Sequence, residues 1–188
     1  MLKLPNMLLI GSSGRKAGKT KLASTIIHRF GNRHRIIGIK ITVVHDQSVD
    51  CPMTDQESAA FYNPKEKYRI REEQDSSLTN DTSRMLASGA FRVFWLKVRD
   101  EYLKEGFNEL LLSIGSETLL VCESTSLRNI VEPGLFLIIK DKTSNGYKPS
   151  ALKVKAFADK IVTFDGRGFD ISNKGIEVVQ KRWILINN

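Results

Sequence analysis

No aspartate or glutamate occurs in the first 45 residues, which hold nine lysines and arginines. The other 143 residues carry twenty basic and twenty-one acidic side chains, so the net charge of +8 originates entirely at the N-terminal end. A basic face spread over the molecule would suit nucleic acid; an excess confined to one segment argues against it and suits a local anion. Arg29, Arg33, His34 and Arg35, the densest part, read as the solvated end of a helix. Cysteine is scarce: Cys51 and Cys122 are the two present, and Cys122 lies in the apolar run Leu119–Cys122 as a buried free thiol. That excludes a disulfide framework and predicts a cytoplasmic protein. His45 with Cys51 makes at most a pair, too few for a zinc site. Neither a Ser–His–Asp arrangement nor G-x-S-x-G is visible. No apolar run approaches a membrane span. Met1 to Ile10 is too short for a secretory leader, and a glycine-rich loop follows at once. Internal repeats and low-complexity segments are lacking. At 188 residues, 41% hydrophobic and 27% charged, the chain is expected to form one globular domain.

What is present is sharpest at Ile10-Gly-Ser-Ser-Gly-Arg-Lys-Ala-Gly-Lys-Thr20. The apolar run Met7–Ile10 precedes it, and a helical pattern, Leu22, Ala23, Ile26, Ile27 and Phe30, follows. Buried strand, glycine-rich turn ending in Gly-Lys-Thr, and helix together read as a P-loop. Glycines let backbone N–H groups close around phosphate oxygens, and the helix aims its positive end at the same anion. Lys19 reaches the β- and γ-phosphates and the Thr20 hydroxyl ligates Mg²⁺. Gly11, Ser13, Gly14, Arg15, Lys16, Ala17, Gly18 and Lys21 complete the expected phosphate cradle. One position departs from G-x-x-x-x-G-K-[ST]: Ser13 stands where the first glycine belongs, so Gly11 or Gly14 is expected to take the tight turn.

Further along, the β-branched run 36–44 predicts a second buried strand, and strand–helix–strand implies a parallel sheet. The pattern dissolves from 45 to about 79, a long connection expected to be mobile or functional. A helix is predicted at 81–88, a strand at 92–98, a helix from Asp100 to about Ser113, strands at 117–123 and 135–139, a helix at 153–159 and a strand at 160–164. The tail predicts a hairpin turning at Asn173-Lys-Gly175, with residues 181–186 as a further edge strand. This alternation gives an α/β fold: a three-layer P-loop architecture with a mostly parallel sheet, ligands at the carboxyl ends of its strands, and a small C-terminal hairpin.

Polar residues just past strand ends line such a site. Glu123 ends an apolar strand and fits the acidic partner of a P-loop, holding Mg²⁺ directly or through water. Asp46 is either a second ligand or base, or a loop carboxylate. His45 is either a phosphate contact or a surface residue. Lys40 is either an anion contact or a snorkelled lysine. Asp81 reads as a helix cap more readily than as a ligand, and Arg84 and Arg128 as solvated arginines more readily than as anion contacts. Asp141 in Lys140-Asp-Lys142 is a candidate for a guanine base, leaving GTP or ATP open.

These residues resemble the family of molybdopterin-guanine dinucleotide biosynthesis protein B. The resemblance rests on Gly11-Ser-Ser-Gly14 with Gly18-Lys-Thr20, on Gly38-Ile-Lys-Ile-Thr-Val-Val-His-Asp46, on the segment Asp81 to Ala90, and on Val121-Cys-Glu123. That family sits in the wider group with dethiobiotin synthetase and the signal-recognition and Min-type ATPases. The resemblance implies a GTP-binding accessory protein of molybdenum cofactor maturation, often dimeric, hydrolysing slowly and working with a protein partner. Carried over, Lys19 and Thr20 hold phosphates and Mg²⁺, and Asp46 and Glu123 line the metal site. Arg15-Lys16 is an insertion relative to the family, and Ser124 follows Glu123 where the family has glycine. The competing reading is an ATP-dependent small-molecule kinase or ligase similar to dethiobiotin synthetase, with an anionic acceptor bound by Lys40, Arg84 or Arg128.

Overall fold

The computed structural model describes residues 1–14, 17–44, 66–77, 79–115, 118–143, 146–171 and 175–186. The runs of apolar residues become strands β1 (Leu2–Ser12), β2 (Ile36–Val44), β4 (Arg92–Arg99), β5 (Leu119–Glu123), β6 (Val131–Asp141) and β7 (Lys160–Phe164), with a short β3 (Tyr68–Glu72) between β2 and β4. They form one seven-stranded sheet ordered β3-β4-β2-β5-β1-β6-β7. Every neighbouring pair is parallel except β3 with β4. Continuous burial of Met7–Ile10 and Leu119–Glu123 is what a parallel sheet covered on both faces demands.

Two apolar cores flank the sheet. On one face α1 (Lys19–Phe30), α2 (Asp81–Ala87) and the hairpin β8 (Ile176–Val179) with β9 (Arg182–Leu185) bury Leu8, Ile10, Val121 and Leu137. On the other, α3 (Leu103–Leu112) covers Leu9, Ile39, Phe94 and Phe136. The chain leaves β1 through α1 to β2 on one side, while β6 pairs with β1 on the other. The carboxyl end of β1 is thus the crevice where open α/β sheets bind ligands.

Several boundaries differ from the sequence expectation. β3 lies inside the stretch read as a connection; it is antiparallel and alternates Tyr68 and Ile70 with Arg69 and Arg71. Residues 45–65 of that stretch lie outside the described residues. The helix predicted at 153–159 is instead α4 (Pro149–Leu152) with a 3-10 turn at Lys155–Phe157. Pro149 starts it because a missing N–H costs nothing at the first helical turn. The hairpin turn is Gln180–Lys181, with φ of 50° and 59°, and residues 182–185 pair with 176–179 rather than with the main sheet. Two successive positive φ values suit the right-handed twist of a tight hairpin. Asn173 and Lys174 lie outside the described residues.

Candidate functional site

The loop after β1 is organised from both ends. Gly18 caps α1 with φ 89°, a left-handed conformation that favours glycine, and a Cβ there would meet the Phe164 ring at 3.2 Å. Among the described residues neither Gly11 nor Gly14 has a positive φ. Gly11 is confined, a Cβ there lying 3.2 Å from Phe136, whereas a Cβ at Gly14 would meet nothing within 4 Å. Ser13 is buried, donates its N–H to Ile139 O (2.8 Å) and accepts from the Lys148 N–H (2.7 Å). Its hydroxyl has no partner among the described residues. Lys19 Nζ donates to Ser12 Oγ (3.0 Å), which donates in turn to Gly14 O (2.8 Å). Lys19 and Thr20 open α1, so cation, hydroxyl and helix N-terminus face one point. Arg15 and Lys16 lie outside the described residues, and Ala17 packs into the core.

Glu123 closes this point from β5. It pairs in register with Ile10 on one side and Lys40 on the other. It is 3% exposed; Oε2 accepts from Thr20 Oγ1 (3.2 Å), and Oε1 has no partner among the described residues. Burial first, and then the charge of Asp81, push its carboxyl up to about 7, against the pull of Lys19, Thr20 and Lys40. Burial likewise pulls the Lys19 ammonium down, opposed by Glu123 and Asp81.

Asp81 does not take the capping role that the sequence favoured for it. The N-cap of α2 is Asn80, whose Oδ1 accepts from the Ser83 N–H (2.9 Å). That frees Asp81 to reach Lys40 Nζ at 2.6 Å. Burial works to raise its carboxyl, but Lys40 and a hydrogen bond from Thr20 outweigh it, and it stays below the usual carboxylate range. The cue available in the sequence is that Asn80 already fills the capping position. Lys40, Asp81, Glu123, Lys19 and Thr20 thus form one cluster at the carboxyl ends of β1, β5 and β2.

Other candidates fall elsewhere. Lys21 Nζ donates to Arg167 O (2.6 Å) and lies over the Phe164 ring. Asp141 Oδ1 accepts from the Thr143 N–H (2.8 Å) and Oγ1 (2.6 Å), a turn that holds its carboxyl low. Arg84 is exposed on α2. Arg128 is buried against Phe157 and Phe136 in the other layer and donates to Val131 O, so it is not the solvated arginine expected and does not join the cluster. His45 and Asp46 lie outside the described residues.

The donor set suits a hard divalent cation: a hydroxyl, and a buried carboxylate with an unpartnered oxygen. Among the described residues no three His, Cys, Asp or Glu side chains gather to hold a metal alone. A cation here therefore needs oxygens from a bound phosphate, the usual situation of Mg²⁺.

Sheet order, phosphate loop and acidic strand end define a P-loop NTPase fold. Among solved structures it is shared by LpxK from Aquifex aeolicus, crystallised in complex with ATP, at a TM-score of 0.52 and 17% identity. The alignment covers 92% of this chain and 53% of that one, so the chain spans about half the length of LpxK. No protein-family model matches the sequence, and no curated protein matches it. No helix among the described residues is long and apolar enough to cross a membrane.

Proposed function

We propose that the chain binds a nucleoside triphosphate with Mg²⁺ and transfers its γ-phosphoryl group. The observation that carries this is Glu123 Oε1, a buried carboxylate oxygen without a partner among the described residues, beside the Thr20 hydroxyl and the Lys19 ammonium. A buried polar atom left unpaired is costly unless a ligand satisfies it. Lys19 leaves Ser12 for the β- and γ-phosphates, and the loop N–H groups bind the remaining oxygens. Mg²⁺ held by Thr20 and Glu123 would neutralise charge on the phosphate oxygens. In the transfer, the acceptor oxygen forms a bond to the γ-phosphorus as the bond to the bridging oxygen breaks, releasing the diphosphate. The acceptor proton passes to the ionised Asp81 carboxylate.

Water as acceptor gives the slow hydrolysis of an accessory GTP-binding protein in molybdenum cofactor maturation, supported by the resemblance of the loop, the β2 strand and the Asp81 segment. Asp46 then serves as second ligand or base. A small-molecule acceptor gives a kinase or ligase, and the Lys40–Asp81 pair favours it because it sets a cation and a carboxylate next to Glu123 in the same cluster. Phosphate release from GTP and ATP tests the common core. We expect Glu123→Gln to lower the rate by about 10²-fold or more, as loss of a transition-state charge partner does. A rate equal to the parent's sinks the assignment of Glu123.

A further inference from the structure

Beyond the phosphate cluster, the same sheet face continues as an ordered row. Glu123 is in register with Lys40, Lys40 with Trp95, and Trp95 with Arg71. Side chains alternate along a strand, and Ile39, Ile41, Phe94, Leu96 and Ile70 all belong to the opposite core. Lys40, Trp95 and Arg71 therefore project together on the face of α1 and α2. Both cations lie against one indole: Lys40 Nζ is 5.1 Å and Arg71 Cζ 5.3 Å from the Trp95 ring centre. Trp95 is 6% exposed, and its Nε1–H donates to Thr42 Oγ1 at 3.0 Å. The indole is a fixed spacer between two charges. At the usual strand separation, Lys40 and Arg71 arise about 10 Å apart.

Each cation is held in place by a carboxylate anchored elsewhere. Asp81 meets Lys40 at 2.6 Å and is fixed by the start of α2. Glu73 lies 3.7 Å from Arg71 and accepts from Thr82 Oγ1 and the Gln74 and Asp75 N–H groups. Glu73 is buried, but the Arg71 side chain keeps about a third of its surface open and the Lys40–Asp81 pair is part-exposed, so an arriving oxyanion can share both cations. Arg71 adds a planar fork suited to a phosphate or carboxylate group.

We propose that this face, the Lys40–Trp95–Arg71 row beside Glu123, binds the acceptor, and that the acceptor is a small molecule carrying a phosphate or carboxylate group. The row starts at Glu123, beside Lys19 and Thr20, so an acceptor tethered by its anion at Arg71 extends along the sheet toward the proposed phosphate cluster. The inference rests on the phosphoryl-transfer reading above, and it replaces the expected anion contacts Arg84 and Arg128 by Arg71.

Tryptophan fluorescence tests it directly. The chain has two tryptophans, and Trp183 is buried against Phe30 beneath the hairpin, so an anion at this face is read by Trp95. Inorganic phosphate is titrated into the protein, with and without a saturating non-hydrolysable triphosphate, and into Lys19→Ala. The expected result is a saturable change that persists when the P-loop is filled and when Lys19 is absent. Arg71→Gln weakens it by about tenfold or more, the size of one charge-assisted hydrogen bond, and Arg71→Lys retains part of it. Acetate in place of phosphate separates a carboxylate site from a phosphate site. A response that vanishes when triphosphate binds, that is unchanged in Arg71→Gln, or that never appears with either anion overturns the proposal. Failure of the triphosphate itself to bind overturns the P-loop reading instead, and the phosphate titration still decides this one.

Discussion

At the residue scale, Glu123 concentrates the physics of the site. Its folded carboxyl stands near 7 against an ordinary 4.5, because burial disfavours the charged form. Between those values the folded protein holds a proton that the unfolded chain has released, so stability falls as pH rises through the window. Below it both states are protonated and nothing is lost; above it the cost is complete, about 3 kcal/mol. Glu123→Gln removes this dependence. Thermal melts of the ligand-free protein should show the variant stabilised at pH 8 and close to the parent at pH 4. An equal shift at both pH values contradicts the assignment. The meeting of Lys19, Thr20 and Glu123 at one point was legible in the sequence because their spacing or their place at a strand end sets it. The pairing of Asp81 with Lys40 was not, since capping and ion pairing use the same residue type, and only the fold brings β2 beside the start of α2. Asp141 is read from its place at a strand end, and there Oδ1 accepts from the Thr143 N–H and hydroxyl.

At the scale of elements, strands with continuous apolar runs were legible and the exceptions were those built on other signals. β3 is short, half charged and, among the described residues, paired along its β4 edge alone, so its period-2 alternation was lost in a polar stretch. The β8–β9 turn has neither glycine nor asparagine at its positive-φ positions. Two predictions belong here. Asn80→Ala should cost about 1 kcal/mol by removing the cap of α2, seen as a lower melting temperature; no change means the cap is redundant. Gly134→Ala should be far more damaging, because a Cβ there would lie 2.0 Å from Pro5 O, where the register of β1 and β6 shifts. Near-native stability in that variant contradicts the close approach of the two strands.

At the scale of the molecule, the hairpin packs into the same core as α1, over β1 and β6. Trp183 is 1% exposed and packs edge-on against Phe30 at 5.3 Å. Trp183→Ala should cost about 3–5 kcal/mol, measured by denaturant unfolding, and a cost under about 1 kcal/mol would mean that the hairpin is an appendage rather than part of the core. The layered α/β architecture was readable from the alternation of strands and helices, because each connection of parallel strands must cross a face. The Lys40–Trp95–Arg71 row proposed to hold the acceptor is not written in that alternation, because its side chains come from β2, β4 and β3 and meet only once the sheet has formed.

The central claim is that these elements assemble a Mg²⁺-dependent triphosphate site around Lys19. Isothermal calorimetry of GTP and ATP binding, with and without Mg²⁺, in the parent and in Lys19→Ala tests it most directly. The account predicts saturable binding of at least one triphosphate that requires Mg²⁺ and disappears in Lys19→Ala. Binding that is as tight in Lys19→Ala as in the parent, or no binding of either triphosphate by the parent, contradicts it.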